Sequence, residues 1–249
     1  MDDVELAGSL VREAGQLAER MRRVGLRIDR KTSVTDVVSA ADHAAEDLIE
    51  ARLRDVRPRD GVIGEEGTRT PGERTWYVDP VDGTYNFVSG LPFWCSALAL
   101  VDDVGVVLGA VYHPAADELW IGGRDHPTSC NGVPVGEVLD RALTEVSIAS
   151  YLHPGTLPDD GTRLPLLRAI RGAATVRMLG SGSIELAAVA AGRLGGWVQH
   201  DSLEWDWFPG QALVTAAGGR TVVVNDGSHR WHIAGSSRVV DEIAELVAG

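Results

Sequence analysis

The stretch Trp76-Tyr77-Val78-Asp79-Pro80-Val81-Asp82-Gly83-Thr84-Tyr85-Asn86-Phe87 constrains this chain more than any other. It starts as an apolar strand, ends that strand in two carboxylates, and turns through Gly-Thr into a helix. Asp79 and Asp82 supply hard oxygen donors suited to a cation, while the backbone N–H groups of Gly83 and Thr84 at the helix start suit a phosphate oxygen. The same residues also fit an ordinary strand followed by an Asp-Gly turn. Two further acidic elements accompany them: Gly64-Glu65-Glu66-Gly67 upstream, and Glu204-Trp205-Asp206-Trp207-Phe208-Pro209-Gly210 far downstream.

At 249 residues, 44% of them hydrophobic, the chain is long enough for one large domain or two small ones with a full core. Its two cysteines, Cys95 and Cys130, form no CxxC pair, which argues against structural zinc and a disulfide framework and for a reducing compartment. The N-terminus MDDVELAGSL is acidic where a signal peptide needs basic residues, and no apolar run reaches membrane-spanning length. A soluble, cytoplasmic protein is expected, with no membrane association. The formal net charge of −13 argues against a general nucleic-acid binder. The cluster Arg20, Arg22, Arg23, Arg27 and Arg30 reads as a solvated helix face and its exit.

Val4, Ala7, Leu10, Val11, Ala14, Leu17, Ala18 and Met21 recur at helical spacing, which predicts an amphipathic first helix. A second helix is predicted from about Asp42 to Leu53. Strands are predicted at Val62–Ile63, Trp76–Val78, Ala97–Val101 and Val106–Tyr112, and a tight turn at Cys130-Asn131-Gly132. After that turn, strand and helix alternate. Ser147–Ala149, Thr175–Met178, Trp197–Gln199 and Arg220–Val224 read as strands. Leu164–Ile170, Ile184–Ala191, Trp205–Ala217 and Ser236–Val247 read as helices. The segment Tyr151–Arg163, rich in Pro, Gly and Asp, reads as a mobile surface loop. A layered α/β architecture follows.

The three acidic elements together resemble the inositol monophosphatase family of magnesium-dependent, lithium-sensitive sugar-phosphate phosphatases. The family pattern D-P-[IVL]-D-G-T-x-N-F is met in full by residues 79–87, its G-E-E element by residues 64–66, and its W-D element by Trp205-Asp206. The resemblance extends from the Lys31-to-Asp42 region nearly to the C-terminus. It implies a layered αβαβα sandwich in one compact unit. Residues 1–140 form an N-terminal half with most metal ligands, and residues 141–249 a C-terminal half with Asp206 and substrate contacts. It also implies a homodimer acting on a small-molecule phosphate ester.

Carried over residue by residue, the pattern makes Glu65, Asp79 and the Val81 carbonyl ligands of a first ion, and Asp79, Asp82 and Asp206 ligands of a second, with Asp79 bridging. Two or three Mg2+ ions are implied, with Mn2+ as a substitute. All the side-chain donors are carboxylates, which suits these ions better than zinc. The family assigns Thr84 and Glu65 to orienting and deprotonating the attacking water, and Asp42 to fixing the Thr84 hydroxyl. Asp42 also fits an N-cap after Ser39-Ala40-Ala41. The resemblance implies substrate contacts at Asp82, Gly83, Thr84 and Asp206, and at Gly180-Ser181-Gly182 and Gln199 on the alcohol side. Inositol phosphatases commonly carry Glu where Gln199 stands, and a shift of one residue would bring His200 or Asp201 there instead. Asn86 and Phe87 are read as structural, Cys95 as too poorly placed to be a nucleophile, and His113, His229 and His232 as unconnected with any site. Inositol 1-phosphate-like esters lead as substrate. Histidinol phosphate and adenosine 3',5'-bisphosphate are the alternatives within the class, and a regulatory module retaining the fold is the alternative outside it.

Overall fold

The computed structural model describes residues 1–24, 28–30 and 37–249. Arg27 and the start of the family resemblance at Lys31 lie outside the described residues. Helices α1 (Asp3–Arg23) and α2 (Ala40–Val56) flank a short antiparallel ribbon, β1 (Ile28–Arg30) with β2 (Val37–Ser39). The acidic N-terminus has a local reason: Asp2 and Glu5 form a reciprocal capping box that satisfies free N–H groups at the start of α1.

A sheet of eight strands follows, built from β3 (Gly61–Gly64), β4 (Arg69–Thr70), β5 (Thr75–Asp82), β6 (Cys95–Asp102), β7 (Gly105–His113), β8 (Glu118–Gly123), β9 (His126–Cys130) and β10 (Val133–Pro134). Its order is β10-β9-β8-β7-β6-β5-β3-β4, antiparallel except between β3 and β5. The short helix α3 (Thr84–Ser89) leaves the end of β5. The second sheet has the order β12-β11-β13-β15-β14 and is formed by β11 (Ser147–Ser150), β12 (Thr175–Arg177), β13 (Gly196–His200), β14 (Arg220–Asn225) and β15 (Arg230–Gly235). Between its strands run α4 (Asp160–Gly172), α5 (Gly182–Ala190) and α6 (Glu204–Ala216), and α7 (Ser237–Ala248) follows the last strand.

Strand alternation sorts the core into layers. On one face of the large sheet, Trp76, Val78, Leu98 and Leu100 pack with Leu6, Leu10 and Ile49 of α1 and α2. The other face, with Ala97 and Val111, meets Leu186 of α5 and Trp207 and Leu213 of α6, which in turn cover Trp197 and Ala234 of the small sheet. The far side of the small sheet, with Ile148, Val198 and Ile233, packs on Leu166 of α4 and Ile243 of α7. The layers are helix, sheet, helix, sheet, helix, as the resemblance implies.

Several local expectations are revised. Asp42 is the third residue of α2 and fully buried, so it is not the N-cap. The segment read as a mobile loop holds a 3-10 turn at Pro154–Thr156, and α4 starts four residues before Leu164 because Asp159 caps it through the Gly161 N–H at 3.0 Å. Arg22 is no solvated residue: its guanidinium lies 5.4 Å from both the Phe87 and Trp94 ring centres. Strands β8, β9 and β15 were not anticipated. No helix among the described residues is long and apolar enough to cross a membrane.

Candidate active site

A break in strand regularity brings Asp79 and Asp82 together. Asp79 pairs with Ala97 and Asp82 with Cys95, so β5 spends three steps where β6 spends two. In a regular strand, residues three apart point to opposite faces; the extra residue of this bulge returns Asp82 to the side of Asp79. Pro80 suits the break because it has no N–H to give to the ladder, and its carbonyl is taken by the Ser96 hydroxyl at 2.6 Å. The Val81 N–H donates to Asp79 Oδ1 at 3.1 Å.

Asp206, in the first turn of α6, completes the group: one carboxylate oxygen each from Asp79, Asp82 and Asp206 lie within 4.8 Å of one another. Glu65 joins at the open mouth. It follows β3, where Glu46 of α2 shapes the turn by accepting the N–H groups of Glu66 at 2.8 Å and Thr68 at 2.9 Å. A Cβ at Gly64 would lie 2.2 Å from Glu46 Oε2, so a side chain there would displace the carboxylate that holds this turn. That favours glycine in the G-E-E element.

The electrostatics record the crowding. Desolvation, then the charge of Asp206, pushes Glu65 up to about 8, although the residue as a whole is exposed. Desolvation, then Asp82, pushes Asp206 to about 7. Burial, then Glu65, raises Asp79 well above the usual carboxylate range, and burial raises Asp82 despite the N–H that Ser183 donates to it. No lysine or arginine lines the cleft among the described residues. Such a cluster calls for a cation, and an all-oxygen donor set fits magnesium or manganese.

The cleft measures about 270 Å³ and is lined by Glu65, Asp79, Val81, Asp82, Gly83, Thr84, Gly180, Ser181, Gly182, Gln199 and Asp206 among others. Gly83 sits at φ 93, and a Cβ there would lie 2.9 Å from the carbonyl oxygens of both Gly180 and Phe93, so only glycine fits. Thr84 Oγ1 donates to the Val81 carbonyl at 3.0 Å and lies 3.4 Å from Asp42 Oδ1, so Val81 is its closer partner. Asn86 Nδ2 donates to the carbonyls of Phe93 and Leu179, both at 2.7 Å, and ties the two halves together. Gln199 reaches the cleft; His200, the next residue on the strand, faces the other way, and Asp201, past the strand end at φ 50, turns to accept the Arg230 N–H, so neither lines it. Cys95 is fully buried and its thiol is pushed up, first by burial and then by Asp82, which rules against a nucleophile.

Glu185, Tyr85 and Tyr151 also line the cleft and were not singled out in the sequence. Glu185 is 1% exposed; its carboxylate accepts the Leu179 N–H at 2.6 Å and the Trp197 indole N–H at 3.0 Å. It braces the Gly180-Ser181-Gly182 turn from beneath. Its position in an apolar helical stretch gave no signal beyond one buried acid.

A layered αβαβα sandwich with clustered carboxylates on a bulged strand end fits a metal-dependent phosphatase. The chain belongs to the inositol monophosphatase family, whose pattern it matches over residues 2–248, and it is a phosphoric monoester hydrolase. It is 33% identical over 220 residues to an inositol-1-monophosphatase of Rhizobium meliloti (strain 1021), covering 85% of this chain and 83% of that one. It is 32% identical over 265 residues to a histidinol-phosphatase of Streptomyces coelicolor, covering 98% and 96%. The extragenic suppressor protein suhB of Bartonella henselae superposes with a TM-score of 0.87 at 28% identity, covering 98% and 97%.

Proposed function

We propose that this phosphatase hydrolyses a small polyol or sugar monophosphate of the inositol 1-phosphate type, with Mg2+ held by Glu65, Asp79, the Val81 carbonyl, Asp82 and Asp206. The convergence of Asp79, Asp82 and Asp206 on one point, with no cationic side chain among the described cleft residues, carries the reading. Two or three ions bound there would shield the phosphoryl group's charge, lower the pKa of the attacking water and stabilise the leaving alkoxide.

The protein's own groups orient the reaction. Thr84 gives its proton to the Val81 carbonyl at 3.0 Å, which leaves its oxygen free to accept from the attacking water and aim it. Glu65, beside it, is the base that takes the water's proton. Asp42 Oδ1, 3.4 Å from the Thr84 hydroxyl oxygen, is the alternative acceptor for the hydroxyl proton when the Val81 carbonyl is engaged by a cation. The N–H groups of Gly83 and Thr84 face the phosphate, and the turn at Gly180-Ser181-Gly182 with Gln199 faces the alcohol. A bisphosphate needs a cation for its second phosphate, and none lines the cleft among the described residues, which favours monophosphates.

Histidinol phosphate is the second reading. Tyr85 and Tyr151 stand in the cleft 53% and 40% exposed, available to a planar ring, and a histidinol-phosphatase is among the relatives. The family likeness also supports a homodimer, and the two unpaired cysteines support a reducing, cytoplasmic setting. A magnesium-dependent phosphate-release screen over inositol 1-phosphate, histidinol phosphate, fructose 1,6-bisphosphate and adenosine 3',5'-bisphosphate tests the substrate. The highest kcat/KM on inositol 1-phosphate supports the proposal. Preference for histidinol phosphate moves the reading to the second substrate, and preference for either bisphosphate overturns the monophosphate argument.

A further inference from the structure

Away from the cleft, three chain segments meet around His229. It stands in the turn between β14 and β15; His200 ends β13 and Asp201 follows it; Asp159 caps α4. Asp201 has φ 50, a left-handed conformation in a non-glycine residue, and its carboxylate turns to the β14–β15 turn. Oδ1 accepts the Arg230 N–H at 3.0 Å. Oδ2 lies 2.6 Å from His229 Nδ1 and 3.3 Å from His200 Nδ1. One ligand atom from each of His200, Asp201 and His229 falls within 4.8 Å of the other two.

The other side of His229 is built as well. Its Nε2 lies 3.1 Å from Asp159 Oδ2 and 3.2 Å from Thr162 Oγ1. Asp159 is fixed in turn by the Thr162 hydroxyl at 2.7 Å and the Gly161 N–H at 3.0 Å. With its proton on Nε2 and shared with Asp159, the ring presents the Nδ1 lone pair toward Asp201 and His200. A carboxylate that holds the remote nitrogen of an imidazole is the usual support of a metal-binding histidine. Asp226 holds the turn itself, accepting the N–H groups of Ser228 and His229, each at 2.8 Å.

We propose that His200 Nδ1, His229 Nδ1 and Asp201 Oδ2 form a second cation site for a borderline transition ion such as Zn2+ or Co2+, with Asp159 orienting His229. Imidazole nitrogens select such ions over magnesium, so the site differs in kind from the all-oxygen cluster of the cleft. The distances ask for a small adjustment. Ligands about 2.1 Å from a tetrahedral ion lie about 3.4 Å apart, so His229 must withdraw from Asp201 by under about 1 Å. Its place in a surface turn allows that movement. An ion there would pin the start of α4, the end of β13 and the β14–β15 turn to one another.

The experiment uses the whole protein in saturating Mg2+, which fills the oxygen cluster, above the pH range in which these imidazoles hold a proton. Co2+ is followed by its visible absorption and Zn2+ by equilibrium dialysis. One ion per chain is expected, with a four- or five-coordinate cobalt spectrum. His229→Gln and His200→Gln, in different segments, each weaken binding at least tenfold, and Asp159→Asn weakens it about 10- to 100-fold. No uptake by the wild type would overturn the site and leave His229 as a hydrogen-bonded link between two carboxylates. Uptake that both histidine variants leave unchanged would place the ion elsewhere and overturn it equally.

Discussion

The backbone N–H of Ser183 donates to Oδ2 of Asp82 across 2.6 Å, joining the first turn of α5 to the end of β5 over 101 residues of sequence. Together with the Asn86–Leu179 contact, it joins the two halves of the chain at the cleft. It also gives one Asp82 oxygen a fixed partner.

Asp82→Asn keeps the shape of that contact, since an amide oxygen also accepts, but removes one charge from the cluster. Magnesium affinity is expected to fall by at least tenfold with the fold unchanged. A magnesium titration of phosphate release reads this, and an unchanged half-saturation point would remove Asp82 from the ligand set.

Raised carboxylate pKa values make the metal-free protein sensitive to alkali. Glu65 rises from 4.5 to about 8 and Asp206 from 3.8 to about 7, so between these limits the folded chain binds more protons than the unfolded chain. Stability then falls as pH rises through that window. Melting in chelator is expected to shift downward from about pH 5 to pH 8, and Mg2+ to reverse the loss at the upper end. A flat or rising profile in chelator would show that the carboxylates do not repel one another as placed.

Thr84→Ala is expected to lower kcat about a hundredfold with little change in KM, because its hydroxyl acts on water and not on the substrate. Steady-state kinetics on the best ester separate the two constants. A rise in KM alone would reassign Thr84 to substrate binding.

Much of the site was legible because its carboxylates sit in short motifs: Asp79 through Phe87 are contiguous, and Trp205-Asp206 opens a helix. The layers were legible for a similar reason, since Leu98, Leu100 and the α1 stripe follow simple periods. What the chain hid depends on contacts between distant segments. Glu46 shapes the turn of Glu65 from another element, Glu185 braces a turn through the Leu179 N–H, and His229 meets Asp201 and Asp159 only after folding. Strands β8 and β9 escaped because Gly122, Gly123 and Pro127 interrupt the apolar alternation that marks a strand.

Glu185→Ala leaves the buried N–H groups of Leu179 and Trp197 without their acceptor, at a cost of roughly 1–3 kcal/mol for each. Lower melting temperature and raised KM are expected together, because the Gly180-Ser181-Gly182 turn loses its brace. Unchanged KM in a folded variant would show that the turn does not contact the substrate.

Gln199→Glu tests the alcohol end. A charged acceptor contributes roughly 1.5–3 kcal/mol to a hydrogen bond against about 1 for a neutral one, so kcat/KM on inositol 1-phosphate relative to glycerol phosphate is expected to rise around tenfold. An unchanged ratio would remove Gln199 from the ring contacts.

The central claim is that a carboxylate cluster centred on Asp79 holds the cations that drive hydrolysis. Magnesium-dependent phosphate release from inositol 1-phosphate by wild type and Asp79→Asn, with folding checked by circular dichroism, tests it most directly. The account predicts release by the wild type that chelator abolishes and magnesium restores, and a folded variant without measurable turnover. Near-normal release by a folded, magnesium-saturated Asp79→Asn protein would contradict it.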